Sequence, residues 1–142
     1  MEIESVIHQE RAGALAQYPH AKRVGPWVFV SGVSSRRADN THEGVTILED
    51  GTVRKDIKGQ TRAVIQNIEA ILKSAGLDLS HVVDMTTFLV DMKDFPGYNA
   101  IYNEFFSKET GPSRTTVAVF QLPHPHLLIE MKAIACDPSN KS

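Results

Sequence analysis

The chain has 142 residues, 42% of them hydrophobic and 23% charged, with a formal net charge of −2 at pH 7. These values suit one folded domain spanning 1–142 with its own core; they exclude a disordered chain and offer no excess of cations for a nucleic-acid surface. The single cysteine, Cys136, excludes an internal disulfide framework and a cysteine-rich zinc site, and reads as a small core or edge residue.

The opening residues, MEIESVIHQERAGALAQ, form an N-terminal extension over 1–17 without the basic-then-apolar pattern of a leader. No apolar run is long enough to cross a bilayer, so the expected compartment is the cytoplasm, with no membrane partner. Trp27 to Val30 (WVFV) reads as a strand that ends at Ser31-Gly32. SSRRADNTHEG then has no periodicity and reads as a charged loop, followed by a short strand around Val45 to Leu48 and a turn at Glu49-Asp50-Gly51. From Ile57, the positions Val64, Ile65, Ile68, Ile71, Leu72 and Ala75 keep helical spacing, and Gly76 stands where a left-handed residue would end that helix. VVDMTTFLVDM reads as a central strand. Asp94 is placed to cap a second helix, whose stripe of Tyr98, Ile101, Tyr102, Phe105 and Phe106 should pack on a sheet. Gly111-Pro112 breaks that helix, Arg114 to Phe120 forms a strand, Pro123 to Pro125 turns the chain, and Leu127 to Ala135 returns as a strand before a frayed tail at 137–142.

This order predicts an α+β fold, a mixed β-sheet with two helices packed on one face. A chain of this size has no third layer for the other face. Self-association is the simplest way to bury it, and a homo-oligomer is expected.

Along the last strand, Ile129, Met131, Ala133 and Ala135 point one way, and Glu130, Lys132 and Ile134 the other. Glu130 is then either half of a solvated cross-strand ion pair or a functional carboxylate. A hairpin across PHPH would bring it to one rim with Arg114. There a guanidinium can grip a substrate carboxylate while the glutamate orients or deprotonates a water. Arg36 and Arg37 are either solvated loop charges or a second anion clamp. His124 and His126, with His8, His20, His42 and His81 scattered elsewhere, lack the spacing of a metal site, and no HExxH occurs, so no metal is expected. Nor is there a glycine-rich phosphate loop, a GxSxG elbow or a nucleotide fingerprint, which leaves chemistry that needs no cofactor.

The block GPSRTTVAVFQLPHPHLLIEMKAIA, Gly111 to Ala135, resembles the signature of the RidA/YjgF family: Gly111, Pro112, Arg114, Val117, Val119, Leu122 and Pro123, then Ile129, Glu130, Met131, Ala133, Ile134 and Ala135. The resemblance extends through VSG at Val30 to Gly32, NIEAILKSAG, TTFLVDMKDF and YNAIYNEFF, and covers almost everything from Tyr18 to Ala135. It implies a chorismate-mutase-like fold and a homotrimer, or a dimer of trimers, with active sites between subunits. It also implies cofactor-independent hydrolysis of enamines or imines to a keto acid and ammonia. Carried over by motif, Arg114 would bind the substrate carboxylate and Glu130 would position water, while Tyr18, Ser31 and Asn99 fall at pocket positions. Thr116 replaces a cysteine common in the family, and its hydroxyl remains able to bond the substrate nitrogen or water.

The loop SGVSSRRADNTHEG departs from the family's usual SGQ pattern. Together with QLPHPHLLIE it resembles the subgroup that deaminates 2-aminomuconate to 2-hydroxymuconate in the breakdown of aromatic compounds. The implied substrate is a dicarboxylate enamine, held by Arg114 at one end and by Arg36 or Arg37 at the other; His124 or His126 would close the pocket or shuttle a proton. One more charge-assisted contact, worth about 1.5–3 kcal/mol, would favour a diacid over a monoacid by about tenfold or more. Two alternatives stand beside this reading: a general deaminase of 2-iminoacids such as 2-aminoacrylate, and a non-catalytic ligand-binding module of the same fold.

Overall fold

The structure, a computed structural model, describes residues 2–10, 13 and 18–140. Eight strands and two helices follow in the order β1 (Ile3–Val6), β2 (Ala21–Val24), β3 (Trp27–Val30), β4 (Val45–Ile47), β5 (Val53–Lys55), α1 (Ile57–Ser74), β6 (Val82–Leu89), α2 (Phe95–Phe105), β7 (Ser113–Ala118) and β8 (Ile129–Cys136). Six of the strands make one sheet in the order β1-β2-β3-β8-β6-β7, and β4 pairs with β5 as a separate hairpin. Both helices lie on one face of the large sheet, as the element pattern predicts. Val64, Ile65, Ile68, Ile71 and Leu72 of α1 and Tyr98 and Tyr102 of α2 close over Met85, Leu89, Ile129, Met131, Ala133 and Ala135.

Local chemistry sets the helix ends. The Asp56 side chain accepts from the Lys58 N–H at the start of α1. At its end Gly76, with φ of 78°, donates to the Lys73 carbonyl while Leu77 N–H reaches back to Leu72, a Schellman closure that needs a left-handed residue. Asp94 stands at the N-cap of α2 as expected, but its side chain makes no capping bond, and burial pushes its carboxyl up. The neighbouring Asp91 does cap: it accepts from Lys93 N–H and starts the 3-10 turn Met92–Asp94 that leads into α2.

Three expectations are corrected. Strand β7 does not form a hairpin with β8. It follows β6 through α2, so it pairs parallel to β6, with Arg114 beside Met85. Strand β8 pairs antiparallel to the other edge of β6, with Glu130 beside Phe88, and β6 therefore separates the two strands. The N-terminal extension is partly sheet, because Ile3–Val6 pairs antiparallel with Ala21–Val24 as the outer strand; the rest of that extension lies largely outside the described residues. The tail is tied down through Asn140: Asp137 N–H donates to Pro26 O, Arg23 pairs with the Asp137 carboxylate at 3.4 Å, and Asn140 Nδ2 donates to Gly25 O.

The sheet face away from the helices carries Trp27, Phe29, Phe88, Val117 and Ile134, and Trp27 and Phe29 keep about two-fifths of their surface. Among the described residues, no helix is long and apolar enough to cross a membrane.

Candidate active site

Alternation along β8 places Glu130 opposite the buried Ile129 and Met131, on the face away from the helices. There it lines a cavity of about 350 Å³ together with Tyr18, Gly32, Arg36, His42 and His124. No described residue hydrogen-bonds or ion-pairs with its carboxylate, and burial pushes that carboxyl up from the ordinary glutamate value. A carboxylate held this way has a full set of lone pairs to offer a water or an ammonium-like group.

Gly32 makes the carboxylate's position possible. A methyl group at Gly32 would overlap Glu130 Oε1, so only glycine lets the side chain lie against this backbone. Gly32→Ala is expected to displace the carboxylate and lower kcat at little cost in stability, because the contacted atom is the free end of a flexible side chain. Steady-state turnover and urea unfolding of the same preparation would check both.

The loop expected to be irregular is an ordered one. A bridge joins Arg36 to His42, Arg37 N–H donates to Thr41 O, and the Asp39 carboxylate accepts from both the backbone and the hydroxyl of Thr41, which lowers its pKa. This folding separates the two arginines. Arg36 lines the Glu130 cavity and donates to Asn40 Oδ1 at 2.8 Å. Arg37 lines an adjoining cavity of about 390 Å³ with His126, where Glu43 neutralises it through a 2.6 Å ion pair.

Opposite the loop, residues 123–127 supply His124 to both cavities. Gln60, fully buried at the start of α1, pins this segment: its Nε2 donates to His126 O and its Oε1 accepts from Leu128 N–H, each at 2.9 Å. Gln60→Leu would strand two backbone groups. It is expected to cost about 2–6 kcal/mol, since each unsatisfied buried group costs about 1–3 kcal/mol. Thermal unfolding checks the loss, and faster amide exchange at Leu128, whose N–H loses its acceptor, would place it.

Arg114 sits elsewhere. Its register opposite Met85 puts it on the helix side of the sheet, where its guanidinium lies 4.7 Å from the Tyr102 ring centroid, 4.9 Å from that of Tyr98 and 5.7 Å from that of Phe95. Nη1 donates to Asn99 Oδ1 at 2.8 Å, and among the described residues no carboxylate pairs with it. Thr116, two residues along the same strand, joins a hydroxyl chain with Tyr98 and Thr87. Burial pushes the Tyr102 phenol up to about 12, so its hydroxyl stays protonated, and it has no hydrogen-bond partner among the described residues.

The residues singled out from sequence therefore divide. Glu130, Tyr18, Arg36 and His124 share one cavity; Arg114, Asn99 and Thr116 form a second cluster on the opposite sheet face; Arg37 and His126 line the adjoining cavity. Ser31 does not line the Glu130 cavity. Its hydroxyl donates to Pro19 O at 2.9 Å and so holds the backbone next to Tyr18. Sequence reasoning passed over Gly32, Gln60 and His42 as site residues. Among the described residues, no group of three or more His, Cys, Asp or Glu side chains is arranged to hold a metal ion.

A six-stranded mixed sheet backed by two helices, with a desolvated glutamate on one face and a stacked arginine on the other, defines a small α+β class. Known proteins place the chain within it. The family described as Endoribonuclease L-PSP matches residues 8–137, and the chain belongs to this family, the RidA/YjgF family. It is 39% identical over 133 residues to a RutC family protein of Pyrococcus abyssi, covering 93% of this chain and 96% of that one. It is 31% identical over 136 residues to TdcF of Escherichia coli, provisionally named a reactive intermediate deaminase, covering 94% and 97%. Among solved structures, yeast YEO7 superposes with a TM-score of 0.82 at 32% identity, over 96% of this chain and 99% of that one. Escherichia coli TdcF with bound serine superposes at 0.77 and 29% identity, over 94% and 98%.

Proposed function

We propose that this protein is a cofactor-independent deaminase that hydrolyses enamine or imine intermediates of 2-oxo acids to the oxo acid and ammonia. The observation that carries this reading is a pair of unanswered charges: Glu130 is desolvated without a cation, and Arg114 is stacked without an anion, among the described residues. A carboxylate-bearing imine answers both. The arginine grips the substrate carboxylate in its planar fork, and Glu130 orients a water toward the imine carbon. As the water adds, Glu130 accepts its proton. It returns that proton to nitrogen to give the carbinolamine, then relays the carbinol hydroxyl proton to the amine as the carbonyl forms and the C–N bond breaks, so ammonia leaves and water and imine are converted to ketone and ammonia with no redox change. Imines hydrolyse in water unaided, and positioning can supply much of the acceleration.

Because Arg114 and Glu130 occupy opposite faces of one sheet, this chemistry needs them from two copies of the chain. The reading therefore includes a homo-oligomer, a trimer by family resemblance, whose contacts would cover Trp27, Phe29 and Val117 and complete each site across an interface.

For substrate, small 2-iminoacids such as 2-aminoacrylate are the first choice, in keeping with the name carried by the relative TdcF. The diacid 2-aminomuconate is the second, favoured by Arg36 on the wall of the Glu130 cavity. Ammonia release by the purified protein without added cofactor, from 2-aminoacrylate and 2-aminomuconate each generated enzymatically, tests the proposal. Turnover of either supports it. Silence on both, with carboxylate binding intact, would replace it with a binding module.

A further inference from the structure

His42 is the buried side chain that the proposed chemistry leaves unused. Only 8% of its surface is exposed, and among the described residues nothing hydrogen-bonds its ring, although that ring lines both the Glu130 cavity and the adjoining one. Its ring centroid lies 4.3 Å from that of His124 and 6.5 Å from that of His126, and those two are 4.7 Å apart. The His126 N–H donates to His124 Nδ1, which in the neutral ring assigns the proton to Nε2 and makes that atom a donor. His42 and His124 thus share the wall of the Glu130 cavity with Arg36, and His126 packs behind them in the adjoining cavity.

We propose that His42, His124 and Arg36 form a second carboxylate subsite, which takes the distal carboxylate of an unsaturated diacid and takes up a proton at His42 as it fills. This deepens the second substrate reading above and rests on the same cavity. The groups that face His42 are His124 and His126 from the 123–127 segment and Arg36 and Arg37 from its own loop, with Glu43 already paired to Arg37. Desolvation first, then electrostatic opposition from these neighbours, holds His42 below the usual histidine range, so without a bound anion it stays neutral. An incoming carboxylate reverses the sign of the local field, and protonation then follows by linkage. A monocarboxylate gripped only by Arg114 leaves the subsite empty and takes up no proton.

Calorimetry tests this without turnover, using muconate and the monocarboxylate sorbate, dienes of equal chain length that carry no nitrogen. Titrations near neutral pH in two buffers of different ionisation enthalpy report both affinity and proton exchange. Muconate is expected to bind about tenfold or more tightly than sorbate and to take up protons. His42→Gln should abolish the proton uptake and most of the preference. Arg36→Gln, a less buried change, should cut the preference while keeping the uptake. Equal affinity for the two acids, or a muconate preference whose proton uptake survives His42→Gln, overturns the subsite. Ammonia release is a separate readout: a protein that binds muconate in this way but turns over neither enamine retains the subsite and loses the deaminase reading.

Discussion

Glu130→Gln is expected to lower ammonia release by about two to four orders of magnitude, the usual share of a positioned general base, and to do so without weakening the fold. The amide keeps the side chain's shape against Gly32 but cannot accept the water's proton. The stability side has a definite sign. Burial raises the folded-state pKa of Glu130, so the folded protein binds its proton more tightly than the unfolded chain does. The stability this group contributes is therefore full below the unfolded carboxylate pKa and is lost as pH rises through the raised folded value. At neutral pH the wild type carries the cost of a desolvated charge and the glutamine variant does not. The variant should melt at the same temperature or higher near pH 7, with the gap closing as the solution is acidified below the ordinary glutamate range. The acid limb of wild-type kcat/KM should likewise fall above that ordinary value. A variant that loses activity because it unfolds would show the reverse order of melting temperatures, and one that keeps full activity would remove Glu130 from the mechanism.

Replacing Arg114 gives the second large effect. A bidentate, charge-assisted contact contributes about 1.5–3 kcal/mol, so Arg114→Lys should lose about ten- to a hundredfold in kcat/KM, because an ammonium cannot reproduce the fork or the stack on Tyr98 and Tyr102. Loss concentrated in KM identifies substrate binding; loss confined to kcat would point to transition-state contact. The placement of Arg114 and Glu130 on opposite sheet faces adds a sharper result. If each site joins an arginine from one copy to a glutamate from another, then unfolding, mixing and refolding equal amounts of Arg114→Lys and Glu130→Gln should restore activity to about a quarter of the interfaces. Activity that stays at the level of the weaker parents after mixing would confine both residues to one chain and overturn the inter-subunit site.

Much of this fold is legible residue by residue. Helix α1 is visible because its apolar positions recur every three or four residues and Gly76 closes its end, an effect that acts within one turn. The outward placement of Glu130 is visible for a similar reason: strand geometry alternates side chains, so Ile129 and Met131 in the core force Glu130 to the other face. The family is legible too, because the residues that carry it, from Gly111 to Ala135, lie in one unbroken stretch of chain.

What the sequence could not supply was which neighbour each strand takes. PHPH looks like a hairpin turn, and local signals cannot reveal that β6 claims both flanking strands, one parallel through α2 and one antiparallel. That pairing decides which face Arg114 occupies, and so separates it from Glu130. The same holds for His42, unremarkable in a polar loop until the fold sets it against His124, 82 positions later in the chain. Periodicity and capping act over a few residues and can be read along the chain. Strand partners, the sidedness of a pair and the crowding of three imidazoles depend on closing long loops, and only the packed tertiary structure decides them.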